Sequence, residues 1–151
     1  MSHDVDRAAL REDQQRLRRM LERTVGRVVA DGAPALIACP EVAILNVACG
    51  ACDEAETLSD YFRSLRDGDA GIEAATRLVG TDVRERELDA ARDRFRSRAG
   101  RSFEFFRGDA SRLGDHRELT SDFDVLVFRH QNLYHGRELW HRIFEQGLAR
   151  L

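Results

Sequence analysis

One stretch constrains this chain more than any other: Ile44-Leu45-Asn46-Val47-Ala48-Cys49-Gly50-Ala51-Cys52-Asp53-Glu54. An apolar run ends in small residues and passes into acidic helix formers. That order predicts a buried strand, a tight turn and a helix start. Such a turn lets a ligand approach the backbone, with the helix N-terminus directed at it. Two further strand ends follow, Val79-Gly80-Thr81-Asp82 and Phe105-Phe106-Arg107-Gly108-Asp109-Ala110. Three strands ending in small or acidic residues point to one ligand lying across their carboxyl ends.

The spacing of apolar residues sets the rest of the fold. Residues 4–31 predict a helix, with Leu10, Leu17, Leu21, Val25 and Val28 on one stripe. Strands are expected at Glu41–Val47, Arg77–Thr81, Phe103–Phe106 and Phe123–Phe128. Helices are expected at Asp53–Arg66, with Ala55, Leu58, Phe62 and Leu65 inward, and at Arg84–Arg98, with Leu88, Ala91 and Phe95 inward. A last helix, Gly136–Leu151, is expected to bury Leu139, Trp140, Ile143, Phe144 and Leu148. Asp67 to Gly71 is expected to be a loop. Strands alternating with helices imply an α/β domain with a parallel sheet and right-handed crossovers. A length of 151 residues with 42% hydrophobic content suits one core of real size.

Composition narrows the chemistry. All 24 basic residues are arginine, so no lysine Schiff base and no Walker lysine are available. The net charge of -3 gives no reason to expect nucleic acid or an acidic membrane. The Arg-rich segment 16–27 reads as a solvated helix face among glutamates and aspartates. No apolar run approaches the ~18 residues of a membrane span. The polar start, Met1-Ser2-His3-Asp4, is unlike a secretory signal, and three cysteines, Cys39, Cys49 and Cys52, suit a reduced cytoplasm. Cys49-x-x-Cys52 has metal-like spacing, but it offers two ligands where zinc wants four, or three plus water, so no metal is expected.

Two of the acids have alternative readings. Asp82 ends the second strand, where an acceptor-only carboxylate can hold both hydroxyls of a ribose. Equally, it can cap the helix beginning near Arg84. Asp109, after Gly108, reads either as a turn residue or as a ligand for an exocyclic amine. His130-Gln131-Asn132-Leu133-Tyr134-His135 follows the fourth strand, where His130 or Tyr134 could act as a base or touch a substrate, or where a polar loop could cap the next helix.

From Ile44 to Leu151 the sequence resembles the class I S-adenosylmethionine-dependent methyltransferases. Asn46-Val47-Ala48-Cys49-Gly50-Ala51-Cys52 is similar to the glycine-rich first motif, which cradles the methionine part of the cofactor. Asn46 stands where that motif has an acid, and Ala48 and Cys52 where it has its first and third glycines. Gly80-Thr81-Asp82-Val83 is similar to the second motif; the resemblance implies that Asp82 holds the ribose and Val83 packs on the adenine. Arg107-Gly108-Asp109-Ala110 is similar to the third, which reaches the adenine amine. Asp124 to His130 is similar to the fourth strand, which places Arg129 and His130 beside the sulfonium and the substrate.

The resemblance implies a Rossmann-like three-layer sandwich of about four parallel strands. Residues 1–34 would form an N-terminal helical cap and residues 35–151 a partial cofactor-binding domain. The implied cofactor is S-adenosylmethionine or S-adenosylhomocysteine, with a methyl acceptor that nothing in the sequence names. The family continues into a fifth strand and a hairpin that this sequence lacks. The expectation is therefore a chain truncated after the fourth strand and its helix, prone to self-association through an open fourth-strand edge. A non-catalytic Rossmann-like interaction protein is the alternative. A nicotinamide oxidoreductase fits less well, since its three-glycine fingerprint is absent and Asp82 lies further beyond Gly50 than the usual ~20 residues.

Overall fold

In a computed structural model, residues 2–30, 39–65, 75–117, 119, 122–128 and 137–151 are described. Helix α1 is Ser2–Ala30. Strand β1 (Glu41–Val47) leads to α2 (Ala55–Ser64), β2 (Ala75–Asp82) to α3 (Glu85–Arg94), and β3 (Arg101–Arg107) to a 3-10 helix (Ala110–Asp115). Strand β4 (Val125–Val127) precedes α4 (Arg137–Leu148). Among the described residues four strands form one parallel sheet in the order β3-β2-β1-β4.

Alternation along the strands divides the core between two faces. Ile44 and Leu78 face one layer with Leu17 and Leu21 of α1, Leu58 and Phe62 of α2, and Leu88 and Ala91 of α3. Leu45 and Val79 face the other with Leu113, Leu119, Phe123 and Ile143 of α4. The result is the three-layer α/β sandwich expected of strands that read as continuous apolar runs.

Most inward positions agree with the helical spacing. Leu58, Phe62, Leu88, Ala91 and Phe95 are all buried. Three expectations need correction. The α1 stripe is buried at Leu17 and Leu21, with Val25 packed against the same cluster, but Val28 is 62% exposed. β4 is shorter than Phe123–Phe128. Phe123 N–H donates to the Arg150 carbonyl, and Asp124 bonds Ala43 through both its N–H and its carboxylate, so these residues leave the ladder to anchor it. On α4 only Ile143 is fully inward; Phe144 and Leu148 are each 48% exposed, and Phe144 instead meets the Phe128 ring at 5.7 Å. The expected loop at Asp67 to Gly71 lies outside the described residues.

Candidate functional site

The turn after β1 is built on left-handed backbone. Ala48 (φ 53°), Gly50 (φ 59°) and Cys52 (φ 52°) alternate with ordinary residues. Only Gly50 adopts this region without steric cost; at Ala48 and Cys52 the Cβ is strained. The turn therefore keeps the shape a three-glycine loop would have while carrying a single glycine.

Hydrogen bonds tie this turn to the ends of β2 and β3. Cys49 N–H donates to the Thr81 carbonyl at 2.9 Å, extending the β1–β2 pairing past the strand. Gly50 N–H donates to Asp82 Oδ2 at 2.8 Å. Gly108 N–H, just beyond β3, donates to the Asp82 carbonyl at 3.0 Å. Three strand ends thus converge on one carboxyl edge of the sheet. Gly80 permits the closure, because a Cβ there would stand 2.8 Å from both Cys49 Sγ and the Phe105 ring.

Asp82 is the hub. Its side chain is only 4% exposed, yet it accepts from Gly50 N–H, from Arg84 N–H at 2.9 Å, and from Arg84 Nε at 3.0 Å. Burial by itself would raise its pKa. The hydrogen bonds from the Arg84 side chain and from the Arg84 and Gly50 N–H groups outweigh that and hold it below its ordinary value. Asp82 thus accepts the N–H of Arg84, the residue just before α3, and braces the β1 turn. Val83, next in sequence, is 57% exposed beside it.

Asp109 takes the turn role. Its Oδ1 accepts from Ser111 N–H at 2.8 Å and Ser111 Oγ at 2.7 Å, capping the 3-10 helix, and these bonds hold its pKa low. Ala110 is buried behind it.

Asn46 is fully buried at the end of β1. Its Nδ2 donates to Glu54 Oε1 at 2.7 Å and to Cys52 Sγ at 3.3 Å, while its Oδ1 has no partner among the described residues. An unpaired buried acceptor costs about 1–3 kcal/mol, so such an atom at a strand end marks a place that a donor could fill. Glu54, also fully buried, was visible in the sequence only as an acid at a helix start. The Cys52 thiol is pushed well above its ordinary value by a hydrogen bond with Cys49 and by burial. Among the described residues no cluster of three or more metal-binding side chains forms.

The structure thus brings Asn46, Ala48, Cys49, Gly50, Asp82 and Val83 to one edge, with Asp109 and Ala110 beyond β3. Arg129, His130 and Tyr134 lie outside the described residues. β4 ends at Val127, which pairs with Asn46. No described helix is long and apolar enough to cross a membrane.

Architecture and connectivity together are those of the class I S-adenosylmethionine-dependent methyltransferase fold. The magnesium protoporphyrin IX methyltransferase of Synechocystis, solved with S-adenosylhomocysteine bound, matches with a TM-score of 0.54 at 15% identity, over 88% of this chain and 51% of that one. An amino pentose methyltransferase of Micromonospora echinaspora, solved with S-adenosylmethionine, matches with a TM-score of 0.52 at 20% identity, over 83% of this chain and 44% of that one. A methyltransferase of Clostridium acetobutylicum gives 0.52 at 15% identity, over 91% and 52%. The chain spans about half the length of these structures. No protein-family model matches the sequence, and no curated protein matches it.

Proposed function

We propose that this chain binds S-adenosylmethionine or S-adenosylhomocysteine at the carboxyl edge of its sheet and serves a methyltransferase acting on an acceptor still to be identified. The observation that carries the reading is the buried Asp82 carboxylate bonded to the Gly50 N–H, which joins the β1 turn to the end of β2. The residues present suit the cofactor. The unpaired Asn46 Oδ1 is an acceptor for an ammonium donor, and Gly50 brings a side-chain-free, left-handed backbone to the turn. In this reading Asn46, Ala48, Cys49 and Gly50 cradle the methionine part. Asp82 accepts the ribose hydroxyls, the exposed Val83 covers the adenine, and Asp109 with Ala110 borders its amine.

The bound cofactor supplies a methyl group already activated on a sulfonium. The protein's task is then in-line positioning and, for a weak nucleophile, a base. Arg129, His130 and Tyr134 follow the strand that ends beside Asn46, and they are the residues proposed to border the sulfonium and the acceptor.

Calorimetric titration with S-adenosylhomocysteine tests the reading. The wild-type chain should bind, and Asp82→Ala should lose roughly 1.5–3 kcal/mol of binding, the worth of hydrogen bonds to a charged group. A folded Asp82→Ala protein with unchanged affinity would remove Asp82 from the site.

A further inference from the structure

Asp82 already holds as many donors as a carboxylate can take. Gly50 N–H and Arg84 Nη2 reach Oδ2, and Arg84 N–H and Nε reach Oδ1. A carboxylate offers about four lone-pair sites, so none remains for a pair of hydroxyls. Two of the four bonds come from the backbone and are built into the fold. The other two come from one side chain, Arg84, which is 61% exposed. The same guanidinium overhangs the turn: a Cβ placed on Gly50 would stand 3.2 Å from Arg84 Nη2. Arg84 also has a second carboxylate within reach, Glu87 Oε1, 3.8 Å from its Nη1 and in the first turn of α3.

We propose that Arg84 is a displaceable occupant of the ribose subsite, closed on Asp82 in the empty protein and released toward Glu87 when the ribose hydroxyls of an adenosine ligand take its place. This rests on the cofactor reading above. It adds that the chain competes with its own ligand, so that the Arg84–Asp82 pair lowers the affinity. The competition is modest because an ion pair with one exposed partner is weak. Displacement exchanges two hydrogen bonds from a charged donor for two from neutral hydroxyls, while the carboxylate stays buried and fully bonded.

The test is titration of wild type and Arg84→Ala with S-adenosylhomocysteine, alongside thermal unfolding of the ligand-free proteins. Arg84→Ala is expected to bind about two- to fivefold more tightly, the worth of a part-exposed ion pair. It should nonetheless unfold at a lower temperature, because Asp82 loses two donors. A merely structural Arg84 would move both readings down together. Raising salt from about 0.05 to about 0.5 M should tighten wild-type binding and leave Arg84→Ala unchanged, since screening weakens the competing pair. A wild type that binds while Arg84→Ala binds equally or more weakly overturns the role of Arg84 alone. If neither protein binds, the cofactor reading fails and this inference fails with it.

Discussion

Ala48 and Cys52 hold a backbone conformation that glycine adopts freely, at φ 53° and φ 52°. The two are not equivalent. Ala48 is half-buried, so replacing it by glycine removes only a strained methyl group. Cys52 has no exposed surface, and its Sγ accepts from Asn46, so glycine there would open a cavity and free a buried donor. Ala48→Gly is therefore expected to raise stability by about 0.5–1 kcal/mol, the relief of left-handed strain less the added flexibility of the unfolded chain. Cys52→Gly is expected to lower it. Urea unfolding of both variants checks the pair, and a destabilised Ala48→Gly would show that the turn is not strained. At this scale the sequence showed which residues close the strands. Asp82 and Gly50 stood out because they close successive strands, although Asp82 read equally well as a cap for the helix near Arg84. Glu54 and Arg84 did not. An acid or an arginine near a helix start is commonplace, and only the folded turn brings Glu54 under Asn46.

At the scale of elements, α1 shows how far a stripe predicts burial. Five apolar positions share its stripe, and among the described residues Leu17 and Leu21 are buried in the core with Val25 packed against it, whereas Val28 is exposed. There the Tyr61 hydroxyl donates to the Leu21 carbonyl at 2.9 Å, and Gln14 Nε2 donates to the Asp53 carbonyl at 3.0 Å, beside the β1 turn. Leu21→Ala should cost about 2–3 kcal/mol, since a buried leucine loses both transfer energy and packing. Val28→Ala, at a 62% exposed position, should change stability by no more than about 0.5 kcal/mol. Denaturant midpoints of the two variants test this, and equal effects would mean that α1 packs differently. The charged face of the same helix is solvated as its composition suggested, with Arg16–Glu12 and Arg18–Glu22 pairs spaced one turn apart. Strand β4 was less legible. Periodicity recognises an apolar run but not which of its residues the ladder takes, and that was decided by Asp124 anchoring to Ala43 and Phe123 to Arg150.

For the whole molecule, the consequence of the strand order is an edge. β4 pairs with β1 on one side and has no second neighbour among the described residues. Beside it runs an apolar groove of about 620 Å³, between α1 and the edge, lined by Met20, Val25, Phe62, Val125 and Val127 among others. Nothing in Val125–Val127 carries the charge or proline that commonly protects such an edge. The chain is therefore expected to associate as concentration rises. Light scattering should give a mass above 17.2 kDa that grows with concentration and falls when Val127 is replaced by arginine. A constant 17.2 kDa species across that range would show the edge to be adequately shielded.

The sequence by itself determined the layer order, the chain direction of the strands and the residues at their carboxyl ends. These follow from local information: apolar spacing, small residues in turns and acids where strands stop. It did not determine how the strand ends are joined. That Gly80 makes room for Cys49 and Phe105, that the Gly50 N–H bonds the Asp82 carboxylate, and that the Gly108 N–H bonds the Asp82 carbonyl are outcomes of contacts between segments distant in the chain. Such contacts form only when the sheet brings β1, β2 and β3 side by side, because a hydrogen bond's partner depends on distance in space and not on position in sequence.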